Sequence, residues 1–472
     1  IHLDPEEEGV FFMFPPFSVS TPTSIVVYRW KRRFRSPPLQ EHEAIVSSVI
    51  EIATNSGPAL KFNHSVQLFL CHSAPDLAGY EIVIKKLVDT KNNIWEDVDV
   101  TKDLQNESDV RNYPSLADVE DLNLPVALTD ISECTTYAVV CRLRSSPPFT
   151  ITSFGGSFNH PDYPDVTVTI PENAVPSGTK FSVQLQVQEL PSETEGQGLC
   201  YGPVLRINCS QVVNFLKPVT IYLPVSLRGE PTGIPNTSLR VRVFFRNCNS
   251  EDKEWTEITR DLRDPAHFDG KLVQFQVDRF SGYVIGMENE NNETGDVAKE
   301  LSKRAERVPL RAVFFAFFRP KSREVIVLIC CPKHLRKEVF MELKEYLPEM
   351  PSEGNSRESL IPDQDKAFVF ASGGVRACEP EEPKIYLEVD DEEQYKQELR
   401  VVVLDNDTLA EVEFRTASSQ TVGFFLCKLH LDIPTATPLR RNTHSSAHDA
   451  PLPVHGPGNV TTVPLPHYPA GK

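Results

Sequence analysis

Nothing in this sequence is long and apolar enough for a bilayer-spanning helix, which needs about 20 such residues. Its longest apolar runs, "AVFFAFF" (312–318) and "VIVLICC" (325–331), have the length of single strands. Basic charge is also scarce: 48 Lys and Arg face 66 Asp and Glu, for a formal net charge of −18. A body of that sign lacks the basic face that phosphate backbones require, which excludes a nucleic-acid-binding role for the chain as a whole. GxGxxG, GxxxxGKS/T, HExxH and GxSxG are all missing, and with them the familiar signatures of nucleotide, metalloprotease and hydrolase sites. No CxxC occurs, and no set of His and Cys has zinc spacing, so no metal or cofactor is expected.

What is present fits a multidomain β protein. A length of 472 residues exceeds one ordinary core and suggests about three domains. The sequence starts at Ile1 with no charged-then-apolar leader, which is read as a fragment. Ten cysteines fall at 71, 134, 141, 200, 209, 248, 330, 331, 378 and 427, several within apolar strand patterns where Cys acts as a small buried hydrophobe. Reduced thiols in the cytoplasm are therefore expected, although seven Asn-x-Ser/Thr sequons, beginning at Asn63 and Asn106, point the other way. One basic run, "YRWKRRFR" (28–35), reads as a solvated loop after a strand; a nuclear-import or anionic-lipid patch is the alternative. That run leaves nuclear entry open beside a cytoplasmic location.

The chain repeats itself. "VFFMFPPFSVSTPTSIVV" (10–27) lies over "VTVTIPENAVPSGTKFSV" (166–183) at an offset of 156. In both, an alternating strand meets Pro15 or Pro171, then a turn, then a second alternating strand. Weaker echoes pair "LKFNHSVQLFLCHS" (60–73) with "NFLKPVTIYLPVS" (214–226), Trp95 with Trp255, and "TTYAVV" (135–140) with "SGYVIG" (281–286). Two copies of about 140 residues indicate a duplicated domain. Short alternating runs between Pro, Gly, Asn and Asp predict β-sandwiches, and Asp269-Gly270 marks a hairpin.

A third unit is predicted over 305–432. After its two apolar strands, Leu335, Val339, Leu343 and Leu347 recur every four residues and predict one amphipathic helix. Strands are expected at 366–372, 384–389, 399–405, 410–415 and 422–431, with acidic loops at 378–383 and 390–394. Residues 433–472 carry eight prolines and no apolar period, so a disordered tail is expected. The expected class is mainly β: tandem sandwiches over 1–150, 151–290 and 305–432.

The second copy resembles the ZU-5 domain through "FGGSF" (154–158), "VTVTIPENAVPSGT" (166–179), "LKPVTIYLPVS" (216–226) and "FSGYVIG" (280–286). The first copy looks like a diverged ZU-5, with "PTSIVVYRW" (22–30) and "YAVVCR" (137–142). Residues 305–432 resemble the UPA domain that follows ZU-5 in Unc-5 receptors, ankyrins and PIDD-type scaffolds. Two ZU-5 copies followed by UPA is the order of PIDD-type scaffolds and of the death-domain-containing protein 1 family. The resemblance implies a packed ZU-5–UPA supramodule and, normally, a death domain beyond it; a proline-rich tail cannot form that six-helix bundle.

The resemblance also implies a chemistry. Related ZU-5 domains cut themselves at His-Phe-Ser, where the serine oxygen attacks the preceding carbonyl and water hydrolyses the ester. That needs a base, a strained peptide and oxyanion donors. Phe280-Ser281 supplies the scissile pair, but Arg279 stands where the histidine belongs, and a guanidinium cannot accept the proton. His267 is expected to pair near Leu272, short of Ser281, and His160 is another possible donor of an imidazole. Cys71-His72 reads as a core thiol beside a surface imidazole, on opposite faces of a strand. The expected function is a non-enzymatic intracellular signalling adaptor of apoptosis-like pathways, with partners met through sheet edges and acidic loops. The alternatives are a self-processing protein cut at Phe280-Ser281, and an ankyrin-like spectrin-binding module.

Overall fold

Alternating patterns become sheet along most of the chain. The computed structural model describes residues 2–3, 9–30, 34–54, 60–113, 116, 122, 125–190, 199–211, 214–227, 239–247, 254–289, 301, 305–350, 356–362, 366–387, 396–404, 408–416 and 425–434. Among these residues the strands form six sheets, packed as three sandwiches.

The first sandwich contains β1 (His2–Leu3), β2 (Val10–Met13), β3 (Ser24–Trp30), β4 (Glu43–Ile45), β5 (Val49–Thr54) and β6 (Lys61–Cys71). It continues with β7 (Tyr80–Asp89), β8 (Ile94–Val98), β9 (Lys102–Leu104), β10 (Val126–Glu133) and β11 (Thr136–Leu143). One sheet runs β1-β3-β5-β11-β7-β8, with β4 also on β11; the other runs β2-β6-β10-β9. A short helix, α1 (Glu107–Val110), opens on Asn106, whose side chain caps the amides of Ser108 and Asp109.

The second sandwich contains β12 (Phe149–Ile151), β13 (Gly156–Asn159), β14 (Thr167–Ile170), β15 (Phe181–Gln188), β16 (Leu199–Tyr201) and β17 (Val204–Cys209). Then come β18 (Val219–Pro224), β19 (Leu239–Arg246), β20 (Thr256–Glu257), β21 (His267–Phe268), β22 (Leu272–Val277) and β23 (Gly282–Asn289). Its sheets run β12-β15-β17-β23-β19-β20, with β16 on β23, and β13-β14-β18-β22-β21. Strand for strand this is the order of the first sandwich, with β13 added.

Register shows the duplication residue by residue. Phe12 faces Leu68 as Val168 faces Ile221, which is the offset of 156 read from the sequence. Tyr137 faces Lys86 as Tyr283 faces Phe245. Glu96 then faces Lys86 as Thr256 faces Phe245, which places Trp95 and Trp255 in equivalent positions. The buried Tyr137 hydroxyl donates to the carbonyl of Glu133 at 2.9 Å, and the buried Tyr283 hydroxyl to that of Arg279 at 2.5 Å. Each bond spans four residues and ties the incoming loop to its strand, the tyrosine corner of β-sandwiches.

The third sandwich contains β24 (Pro309–Phe318), β25 (Val325–Pro332), α2 (Arg336–Tyr346), β26 (Ser356–Pro362) and β27 (Lys366–Gly373). It closes with β28 (Val375–Glu379), β29 (Lys384–Tyr386), β30 (Lys396–Val403), β31 (Leu409–Arg415) and β32 (Phe425–Asp432). The sheets run β26-β24-β25-β30-β28 and β29-β27-β31-β32. Burial on two faces explains why β24 and β25 are apolar without alternation. Ala312, Phe314, Ala316, Phe318, Ile326, Leu328 and Cys330 face the inter-sheet core. Val313, Phe315, Phe317, Val327, Ile329 and Cys331 lie under the helix, against Val339 and Leu343.

Several expectations are corrected here. β26 and β28 carry too many polar residues to stand out from the sequence, because they are sheet edges. The acidic segment 378–383 is therefore part strand: Cys378 and Glu379 belong to β28, and only the remainder is loop. His72 is not a surface residue. It lies one position beyond β6, where alternation ends, and is fully buried. Its Nε2 lies 3.0 Å from Asp103 Oδ1, and its Nδ1 accepts from the amide of Ala74. Residues 390–394 and the tail from 435 lie outside the described residues.

The sandwiches are joined by backbone as well as side chains. Between the first and second, the amide of Gly79 donates to Tyr163 Oη at 2.6 Å, and Glu189 N to the carbonyl of Ala78 at 3.0 Å. Ser146 exchanges bonds with Leu185, donating N–H to its carbonyl and accepting from its amide at the hydroxyl, both at 2.8 Å. The first and third share one interior: buried residues from Ile25 to Cys141 and from Val308 to Ile433 form a single apolar cluster. At that junction the amides of Arg311 and His334 donate to the carbonyl and hydroxyl of Ser73, at 2.8 and 3.0 Å. The Ser73 hydroxyl also lies 2.7 Å from His334 Nδ1, and Arg29 pairs with Glu338 of α2. Leu301 and Ala305, on the connection into β24, pack with Phe244, Trp255 and Val284 on the outer face of the second sandwich.

Candidate functional site

Ser281 is the last residue before β23, and its side chain is buried. Its hydroxyl donates to the carbonyl of Arg246 at 2.5 Å, and its own carbonyl accepts from Ile207 N at 3.0 Å. The first sandwich makes the same pair of bonds: Thr135 Oγ1 donates to Leu87 O at 2.7 Å, and Ile52 N to Thr135 O at 2.9 Å. The Ser281 hydroxyl thus fills the place of a threonine that fastens a strand end in the other copy.

Phe280 is half-buried against Phe215, the rings crossing edge to face with centroids 4.6 Å apart. The Arg279 guanidinium stacks 4.2 Å above the Phe245 ring. The two histidines considered from sequence are placed elsewhere. His267 faces Gln274 in the opposite sheet; the turn at Asp269-Gly270 takes four residues and shifts the register two positions past Leu272. His160 directly follows β13, its ring 5.0 Å from that of Tyr163, and burial lowers its pKa.

Phe280 and Arg279 border a polar cleft of about 680 Å³ that sequence reasoning missed. One wall is Arg206, Asn208 and Ser210 of the second sandwich with the strand end at Arg246; the other is Gln40, Glu41 and His42 of the first. Arg206 reaches Gln188 Oε1 at 2.6 Å and the carbonyl of Ala305 at 2.5 Å. Arg246 lies 3.4 Å from Glu41 and 3.6 Å from Glu306. His42 holds a left-handed backbone (φ 62°), and its Nδ1 lies 3.2 Å from the carbonyl of Glu306. Burial, then the charge on Arg206, pushes the His42 pKa down to about 3. Its ring is neutral at pH 7. No local pattern could have joined residues 40–42, 206, 246 and 279; only the packing of two sandwiches does.

Among the described residues, the buried cysteines hold no activated thiol. Burial pushes Cys71, Cys209, Cys331 and Cys427 up to about 12 and Cys134 to about 11, the reverse of what a nucleophile requires. Among the described residues no cluster of His, Cys, Asp and Glu could hold a metal, and no helix is long and apolar enough to cross a membrane.

Fold and site together define a tandem β-sandwich protein with a duplicated module and a third sandwich sharing the core of the first. No protein-family model matches the chain. Among curated proteins it is similar to p53-induced death domain-containing protein 1 of Mus musculus, 25% identical over 338 residues. That match covers 69% of this chain but 33% of the mouse protein, so the chain matches about a third of its relative's length.

Proposed function

We propose that this chain is the regulatory platform of a non-enzymatic, intracellular signalling scaffold of the death-domain type, built from two ZU-5-like sandwiches and one UPA-like sandwich. The observation that carries the reading is the shared interior of the first and third sandwiches, with the second docked on the first through backbone hydrogen bonds. The similarity to a death-domain-containing protein supports the class. Packing supplies the restraint: an effector region is held while the sandwiches stay closed, and a partner that prefers the open form shifts the population. Contact surfaces are the outer strands β28 and β32, which offer backbone to an added strand. The exposed Glu379, Glu381 and Glu382 suit a basic partner. The setting is cytoplasmic, with nuclear entry through the basic run.

The test is Ser73→Ala with His334→Ala in a fusion that carries a death domain after these residues. Opening the junction should raise co-precipitation of a death-domain partner. Unchanged recruitment by a chain that crosslinking shows to be open overturns the platform.

Self-cleavage at Phe280-Ser281 is the second reading, favoured by Phe280, which lines the polar cleft. The bond from Ser281 to the Arg246 carbonyl, repeated by Thr135, supports the structural role instead. Intact mass decides: one species of full length supports the scaffold, whereas two fragments meeting at residue 281, abolished by Ser281→Ala, establish processing.

A further inference from the structure

The two copies differ at one sheet edge. In the second sandwich β13 covers β14, with Phe158 opposite Val168 and Ser157 opposite Thr169. The first sandwich has no such strand: its smaller sheet ends on β2 among the described residues. Register shows what this leaves open. The amide of His160 donates to the carbonyl of Val166, and bonded pairs recur every two residues, so the backbone N–H and C=O of Val168 bond Phe158. Phe12 stands at the equivalent of Val168. On its inner side β2 bonds through alternate residues, beginning with Cys71 N to Gly9 O at 2.9 Å. Phe11 and Met13 therefore bond β6, while the N–H and C=O of Phe12 turn outward.

Nothing in the sequence of β2 guards this edge. Val10–Met13 carry no charge, no proline and no bulge, the devices that keep edges unpaired. All four residues are half-buried. Val10 and Phe12 pack on the inter-sheet core, and Phe11 and Met13 on an outer cluster with Phe69, Val110 and Leu128. β14 is different on that outer face, where Thr169 Oγ1 lies 2.9 Å from Ser157 Oγ. A strand added to β2 meets apolar groups on both faces.

We propose that the β2 edge binds a short extended segment of a partner protein, apolar on both faces and antiparallel to β2, in the place that β13 takes in the second sandwich. Its central residue lies opposite Phe12 and enters the inter-sheet core as Phe158 does, 9% exposed and ring to ring with Phe149 at 4.9 Å. Its neighbours, opposite Phe11 and Met13, are aliphatic where β13 has Asn159 and Ser157. Backbone bonds supply affinity, and the alternate side chains selectivity. A second copy of this chain fits poorly: an edge about 14 Å long offers far less than roughly 1,200 Å², the lower bound of a stable interface. The site is separate from β28 and β32 and stands without the platform reading.

The probe is a fluorescein-labelled peptide, Lys-Lys-Gly-Val-Phe-Val-Gly, titrated into the full chain and read by anisotropy. Its analogue methylated on the amide nitrogen of phenylalanine keeps side chains and charge but loses that donor, and should bind at least tenfold more weakly. At saturating peptide, hydrogen exchange at the Phe12 amide should slow at least tenfold while that of Leu328 is unchanged. Phe12→Pro removes the outward N–H without removing a bond to β6 and should abolish binding. Thermal unfolding checks the fold of that variant, and the methylated peptide decides where the variant is unfolded. No binding by the parent peptide, equal binding by both peptides, or an unchanged Phe12 amide overturns the proposal. So does a dimer in sedimentation that Phe12→Pro dissolves, which would assign the edge to a second copy.

Discussion

Replacing Gly79 with alanine probes the contact between the first two sandwiches. Gly79 holds φ +92°, and a Cβ placed there falls 1.7 Å from the carbonyl oxygen of Val187, across the junction. Backbone cannot yield as a flexible side chain would, so the strands must separate. Three hydrogen bonds cross the junction there: Gly79 N to Tyr163 Oη (2.6 Å), Ala78 N to Glu189 Oε2 (2.6 Å) and Glu189 N to Ala78 O (3.0 Å). At about 0.5–1.5 kcal/mol each, their loss costs about 1.5–4.5 kcal/mol. Left-handed backbone adds about 1–2 kcal/mol for a residue with a Cβ. Gly270→Ala is the control: φ is +103° there too, but no atom lies within 4 Å of the added carbon, so only the backbone cost of about 1–2 kcal/mol remains. Urea unfolding followed by tryptophan fluorescence should place Gly79→Ala well below Gly270→Ala in midpoint. Equal midpoints would refute the packing argued for these sandwiches.

Other outcomes follow from the same geometry. Ser281→Ala removes the donor to the buried Arg246 carbonyl and should cost about 1–3 kcal/mol in denaturant unfolding; Thr135→Val should cost a similar amount, because the bond is the same. Leu343→Ala empties space under the helix and should cost about 2–5 kcal/mol, whereas Met341→Ala, at an exposed position, should stay within about 0.5 kcal/mol. His42 has its folded pKa depressed to about 3 against 6.5 when free. Its unfolded state therefore binds the extra proton between those values, and its contribution is present above pH 6.5 and lost as pH falls toward 3. His42→Asn, which tolerates the left-handed backbone, should flatten the fall of stability between pH 6.5 and pH 4, read by thermal unfolding across buffers.

Much of the fold could be read from the sequence because alternation is local. The strand pairs around Pro15 and Pro171, the hairpin at Asp269-Gly270 and the four-residue spacing of the helix each declare themselves within a dozen residues. The drift in the repeat offset comes from connections of different length, while register within the sheets stays the same. β28 escaped notice because only Val375 and Ala377 of its five residues face the core, too short an alternation to stand out beside exposed Arg376, Cys378 and Glu379. His72 was misplaced because one residue past a strand end the two-residue period no longer applies. Phe280 and Ser281 were legible as a site only through resemblance. Glu41, His42, Arg206 and Arg246 meet them through docking between copies, and such a meeting leaves no periodic trace.

Amide hydrogen exchange at Arg311 and His334 tests the central claim most directly. Both amides donate to Ser73 across the junction of the first and third sandwiches, beside the interior the two share. The account predicts exchange as slow as at interior sheet positions such as Leu328. Exchange at the rate of open loops, while Leu328 stays protected, would mean that the two sandwiches fold apart and would contradict it.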